Sequence, residues 1–155
     1  MDTLHAMQAA VGSTGEIVGG IEPDSMGRPS PCRDWDVREV LNHMLGALWL
    51  SAGLFADEPP RVAVAPGALP HDDLIGDDLP AAFKEAAEAA ITAAHLEGTL
   101  DRMIETPAGT MPGAALGGII TLDVFVHGWD VARGAGHDAS FDPALAGYLL
   151  GFAEQ

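Results

Sequence analysis

The chain has 155 residues, 48% hydrophobic and 19% charged, and its 7 basic against 23 acidic side chains give a net charge of −16 with neutral histidines. That length predicts a single domain over residues 1–155 with a sizeable core, and that hydrophobicity excludes a disordered chain. The charge excludes the basic face that nucleic acid or an anionic membrane surface requires.

Cys32 is the only cysteine, which rules out an intrachain disulfide and a cysteine-rich zinc knuckle. The first basic residue is Arg28, so the start lacks the basic region of a signal peptide. The uncharged runs Val40 to Ala56 and Pro107 to Leu122 both fall short of the roughly 20 apolar residues of a membrane span. The expectation is a cytoplasmic protein with no membrane segment.

A first helix is expected from Asp2 to about Val18, with Leu4, Met7, Val11 and Ile17 on one side and Gly19 and Gly20 ending it. Residues 20–35, with Pro23, Pro29 and Pro31, read as a loop. Asp36 caps a second helix to about Phe55, and Glu39 three residues on completes an aspartate version of the capping box. Glu58 to Asp78 holds 4 prolines, 2 glycines and 5 acids and reads as a long irregular loop. The alanine-rich stretch Leu79 to Leu96 is a third helix stopped by Gly98. Leu100 to Pro112 suits a short hairpin or extended connection. A fourth helix runs from Pro112 or Gly113 to Arg133, ended by Gly134 and Gly136. Asp142-Pro143 opens a last helix, cap followed by proline at the first helical position. Four long helices predict an all-α, antiparallel four-helix bundle, whose core is the natural place for a metal or ligand.

The informative segment is Thr121-Leu-Asp123-Val-Phe-Val-His127-Gly-Trp129-Asp130. At ~100° per residue, Asp123 and His127 lie ~40° apart on one helix face, and Asp130 lies ~20° from Asp123 on the other side. Burying a carboxylate is costly unless it is paired or metal-bound. Asp and His at i, i+4 can chelate one ion; a buried ion pair, or a hydrogen-bonded core histidine, accounts for the same spacing. His43, in the middle of the second helix, offers a third ligand, with Gly46 and Ala47 leaving room beside its ring. Two imidazoles and one carboxylate form the ligand set of open catalytic zinc and non-haem iron sites.

His5, His71, His95 and His137 read as surface groups. The acids Asp72, Asp73, Asp77 and Asp78 lack EF-hand spacing and read as a solvated charge run. Cys32 reads as a small buried hydrophobe, or as a thiol near the metal face. Trp35, Trp49 and Trp129 read as core or loop anchors. No phosphate loop, nucleophile elbow or Ser/His/Asp set is recognisable.

Two motifs carry a family resemblance. Pro31-Cys32-Arg-Asp-Trp35-Asp36-Val37-Arg-Glu-Val-Leu41-Asn42-His43 resembles the first motif of the DinB-like, mycothiol-dependent maleylpyruvate isomerase N-terminal domain group. Leu122-Asp123-Val-Phe-Val-His127-Gly128-Trp129-Asp130-Val-Ala-Arg133 resembles its second. Gly76-Asp77-Asp78 and Ala108-Gly109-Thr-Met-Pro112-Gly113 are similar to a small single-domain subgroup. The resemblance implies a four-helix bundle with a divalent metal on His43, Asp123 and His127. Zinc is the first choice, with nickel and iron as alternatives. Many members carry histidine or glutamate where this chain has the shorter Asp123. The isomerase itself has an additional C-terminal domain for which this chain has no room, and single-domain relatives are commonly longer, so a C-terminal tail is expected to be missing.

The expected activity, implied by the family, is thiol-dependent transfer or isomerisation on small electrophiles, with mycothiol or an analogue as cofactor. Asp130 is the candidate carboxylate behind the ligands, with Asp34 and Asp36 as alternatives; Asp36 is more simply a helix cap. The rival is a metal- or ligand-binding protein without turnover, and a third reading is a bundle whose polar stripe is only an ion-pair network. Helix four, apolar over much of its circumference, suits burial in a bundle or a homodimer interface.

Overall fold

Asp2 starts the first helix: its carboxylate accepts the His5 N–H and a bond from the His5 ring. The computed structural model describes residues 1–62, 65 and 68–154. In chain order the elements are α1 (Thr3–Gly19), a 3-10 turn (Pro23–Ser25), α2 (Val37–Ala56), α3 (Leu79–Ala94), β1 (Met103–Thr106), β2 (Gly109–Pro112), α4 (Gly113–Ala135) and α5 (Pro143–Ala153). Among the described residues the protein is mostly helical, with five α-helices and a small two-stranded sheet.

The expected helix starts are found where the capping residues stand. Asp36 accepts the Glu39 N–H while the Glu39 carboxylate accepts the Asp36 N–H, the reciprocal bond pattern that satisfies free donors at a helix start. Asp78 caps α3 and Asp142 caps α5. α4 begins without a side-chain cap. Instead the Gly113 and Ala114 N–H groups donate to the Arg102 and Leu100 carbonyls, so the segment leading into the hairpin closes the helix start. The hairpin is antiparallel, with Met103 opposite Pro112 and Thr106 opposite Gly109.

Each of the four longer helices packs on two others: α1 on α3 and α4, and α2 on α3 and α4. The core between them holds Met7, Leu41, Met44, Leu45, Leu48, Phe55, Phe83, Val124 and Val131. Small residues let α1 and α4 come close. A Cβ added at Gly128 would stand 2.5 Å from Thr14 Oγ1, and one at Gly117 would stand 2.6 Å from Thr3 Cγ2. Thr14, buried in this contact, donates its hydroxyl to the Val124 carbonyl on α4.

Several expectations need correction. The buried side of α1 is Ala6, Met7, Ala10, Thr14 and Val18, so the face is rotated from the Leu4, Val11, Ile17 side, which is only half-buried. Gly134 does not end α4. It lies inside the helix against Val37 and the Pro29 carbonyl, and Gly136, at φ 82°, forms the left-handed cap. The loop between α1 and α2 contains the 3-10 turn and is pinned by the Ser30 hydroxyl, which donates to the Trp35 carbonyl. Trp129 is 43% exposed and is no core anchor. His137 is half-buried beside Gly20 rather than fully solvated.

The acidic run is partly structural. Asp73 binds Arg38 and Asn42 on α2, and Asn42 accepts the Leu74 N–H. Residues 63, 64, 66 and 67 of the expected loop, and the final residue, lie outside the described residues. By length and composition, α4 is long and apolar enough to cross a membrane; it outruns the uncharged stretch of sequence, and half of its most apolar window is buried in the fold.

Candidate metal centre

The capped start of α2 fixes the phase of that helix, which places His43 on its inner face, 6% exposed. On α4, Asp123 and His127 stand one turn apart and face the same point. The His43 and His127 rings lie 4.9 Å apart, nearly edge to face at 79°. Trp35, from the pinned loop, packs on both, at 4.9 Å from the His43 ring and 6.2 Å from that of His127.

The hydrogen bonds determine which ring nitrogens face inward. The Ala68 carbonyl, 2.9 Å from His43 Nδ1, has only lone pairs to offer, so that nitrogen carries the proton and donates. The Asp130 carboxylate stands in the same relation to His127 Nδ1 at 3.0 Å. Each neutral imidazole is then left with an unprotonated Nε2, and both point at one atom. His43 Nε2 is 3.1 Å from Asp123 Oδ1 and His127 Nε2 is 3.5 Å from it. Three lone pairs thus converge, and only a proton or a cation reconciles them.

In the metal-free protein the site favours a proton at His43. Burial disfavours its charged form, but the hydrogen bond and charge of Asp123, with the Ala68 bond, outweigh burial and hold His43 above the usual histidine range. The second oxygen, Asp123 Oδ2, is buried without a hydrogen-bond partner. A buried carboxylate oxygen without a partner is costly.

The donor set fits a divalent cation. The three residues bring one ligand atom each within 4.8 Å of one another. Ligands about 2.0–2.2 Å from a tetrahedral zinc lie roughly 3.4 Å apart, close to the two separations given above. The remaining valence of Asp123 Oδ2 is available, and the outer bonds from Ala68 and Asp130 are those that orient metal-binding histidines.

Of the residues singled out in the sequence, His43, Asp123 and His127 are brought together, and Asp130 stands directly behind His127, 5% exposed. Asp36 is a helix cap, as expected. Asp34 is an exposed turn residue at φ 71°. Cys32 offers a sulfur within 4.8 Å of ligand atoms of His127 and Asp130. Burial first, and then the charges of Asp130, Asp123 and Asp34, push its thiol up, so it is held protonated rather than as a nucleophilic thiolate.

Sequence reasoning missed the Ala68 carbonyl and the packing of Trp35 on both imidazoles. It also missed a cavity of about 180 Å3 that opens beside His43 and Asp123 and reaches the hairpin turn at Thr106–Ala108. Trp35 lies inside the first motif, which was the available signal. A backbone carbonyl leaves none.

Residues 7–132 match the family model described as the mycothiol maleylpyruvate isomerase N-terminal domain. Two uncharacterized proteins of Mycobacterium tuberculosis, from two strains, are each 31% identical over 146 residues, covering 94% of this chain and 74% of the relative. The fold is similar to the crystal structure of a histidine-to-alanine mutant of mycothiol-dependent maleylpyruvate isomerase, with a TM-score of 0.72 at 16% identity. That match covers 96% of this chain and 66% of the other.

Proposed function

The chain belongs to the mycothiol maleylpyruvate isomerase N-terminal domain family, and from that premise we propose that it is a divalent-metal protein catalysing thiol-dependent transfer or isomerisation of small electrophiles. The observation that supports it is the convergence of His43 Nε2, His127 Nε2 and Asp123 Oδ1, with Asp123 Oδ2 left without a partner. We read α1–α4 as an antiparallel four-helix bundle in one domain, with the ligands on its facing helices. Zinc is the preferred cation and mycothiol, or a similar low-molecular-weight thiol, the preferred cofactor.

His43, Asp123 and His127 would hold the cation, whose charge would favour the thiolate form of the cofactor near neutral pH. The Ala68 carbonyl and Asp130 keep protons on the two Nδ1 atoms, so both Nε2 lone pairs stay directed inward. Trp35 packs against both imidazoles and helps hold their orientation. Asp130, behind His127, is the carboxylate that would accept the proton a bound thiol gives up.

A second reading is a metal- or ligand-binding protein without turnover. It is favoured by one observation: among the described residues lining the cavity, the ionisable groups are His43 and Asp123 alone, so no separate general acid faces it.

The experiment is a panel of mycothiol and small electrophiles assayed with zinc-loaded and chelator-stripped protein. Thiol consumption above the uncatalysed rate, lost on stripping and restored by zinc, is expected. No metal-dependent rate with any pair would leave the second reading in place.

A further inference from the structure

The cavity beside the candidate metal centre has a wall of a definite chemistry. At one end stand His43 and Asp123. Among the described residues, the rest is built from α2 (Ala47, Leu50, Leu54), α4 (Leu116, Ile119, Ile120), Ala65 and the hairpin. Thr106, the hydroxyl residue in that wall, is already engaged: its Oγ1 donates to the Gly109 carbonyl and accepts the Ala108 N–H. Polarity is therefore confined to the metal-facing end.

None of the 7 basic residues lines the cavity. Arg28 donates to the Ala135 carbonyl, Arg38 pairs with Asp73, and Arg61 pairs with Glu85 while stacking on Trp49. Arg102 is spent on the Leu54 and Phe55 carbonyls, and Arg33 is exposed on the loop before α2. The sequence from Val62 to Pro70 contains no charged residue, so that segment brings none to the site.

Charge counting gives the same answer at the polar end. A divalent cation carries two positive charges. Asp123 and one thiolate would cancel both, and Asp130 behind His127 adds a further negative charge. No net positive charge would remain to hold a carboxylate, and unpaired anions are expelled from apolar walls.

We infer that the electrophile taken by this protein is small, uncharged and apolar, with its polar reacting end toward His43 and Asp123 and its hydrocarbon part between α2, α4 and the hairpin. This rests on the reading of the three-ligand cluster as the reaction centre. The size follows from the volume: an aliphatic cavity of about 150 Å3 accommodates benzene, so about 180 Å3 accommodates one ring or a short chain of similar bulk. A dicarboxylate, such as the maleylpyruvate named for the family's isomerase, is the class this wall rejects.

The test uses cyclohexanone, neutral and unreactive toward thiols, and maleate, a dianion of similar size. Both are titrated against the full chain, zinc-loaded and chelator-stripped, while the methyl resonances of Met111 and Ile119 are followed by NMR. Cyclohexanone is expected to shift both methyls in either form and to bind at least tenfold tighter than maleate. Ile119, 43% exposed at the cavity wall, tolerates a charged replacement. Ile119→Arg is expected to narrow the preference by tenfold or more. Maleate binding as tightly as cyclohexanone in the stripped form, or cyclohexanone leaving the methyls unmoved, overturns the assignment. Cyclohexanone binding to a chain that takes up no zinc would remove the metal reading while supporting the cavity assignment. Zinc binding with cyclohexanone silent would remove the cavity assignment alone.

Discussion

Asp130 shows how one side chain outside the ligand set decides what the site can do. Its carboxylate fixes the His127 tautomer and aims Nε2 at Asp123. Such outer partners are worth 10- to 100-fold in metal affinity. Asp130→Asn is therefore expected to weaken zinc binding by about that factor while the helical circular dichroism stays unchanged. Unaltered affinity in a competition titration would show that His127 is oriented by packing alone. At this scale the sequence was readable where the chemistry lies in side chains at helical spacing. Asp123, His127 and Asp130 on one stripe, and His43 beside the small Gly46 and Ala47, are all visible in the string. The Ala68 carbonyl was not, because a backbone acceptor has no residue-type signature and its approach to α2 is a long-range contact. Cys32 was readable as a neighbour of the site but not as a protonated thiol, since that depends first on burial and then on three carboxylates gathered by the fold.

Among the elements, the α1–α4 contact sets the depth at which Asp123 and His127 sit. It depends on Gly128, where a Cβ would collide with the buried, β-branched Thr14. Gly128→Ala is expected to destabilise by about 1–3 kcal/mol, the usual cost of overpacking. Thr14→Ala on its own removes the hydrogen bond to the Val124 carbonyl, worth about 0.5–1.5 kcal/mol. The double variant should lose clearly less than the sum of the two, because the smaller side chain removes the clash. Strict additivity in denaturant melts would show that α4 shifts away from α1 instead. Helix starts were legible at Asp36 and Asp142, which act locally, whereas Asp78, read as part of a solvated charge run, caps α3. The helix phase of α1 and the continuation of α4 through Gly134 were not, because packing against Phe83, Val124 and Val37 decides them rather than local pattern.

For the molecule as a whole, the net charge of −16 on a small fold implies self-repulsion that salt relieves. The melting temperature is expected to rise between low and 0.5 M sodium chloride in the metal-free protein; a fall would mean that attractive pairs outweigh the excess charge. Asp73 is one such pair, tying the acidic segment to α2. Partial burial pushes its carboxyl up, but bonds from Asn42, Arg38 and the Ile75 N–H outweigh this and hold it below the usual 3.8. A lowered folded value means the stabilisation is present above that ordinary value and is lost as pH falls through the lower one. Wild type and Asp73→Asn should therefore differ in melting temperature at neutral pH and converge in acid; a gap that persists would assign the effect to packing. The acidic run could not be divided in advance into structural and solvated members, since the division depends on where Arg38 and Asn42 meet it in space.

The most direct measurement is the metal content of freshly purified, untagged protein and of His43→Ala and His127→Ala, by inductively coupled plasma mass spectrometry before and after zinc titration. About one divalent ion per wild-type chain, lost in both variants while they remain helical, is expected from three converging ligands. Negligible metal that titration does not restore, or stoichiometric metal retained by both variants, would contradict the assignment of His43, Asp123 and His127 as a metal centre.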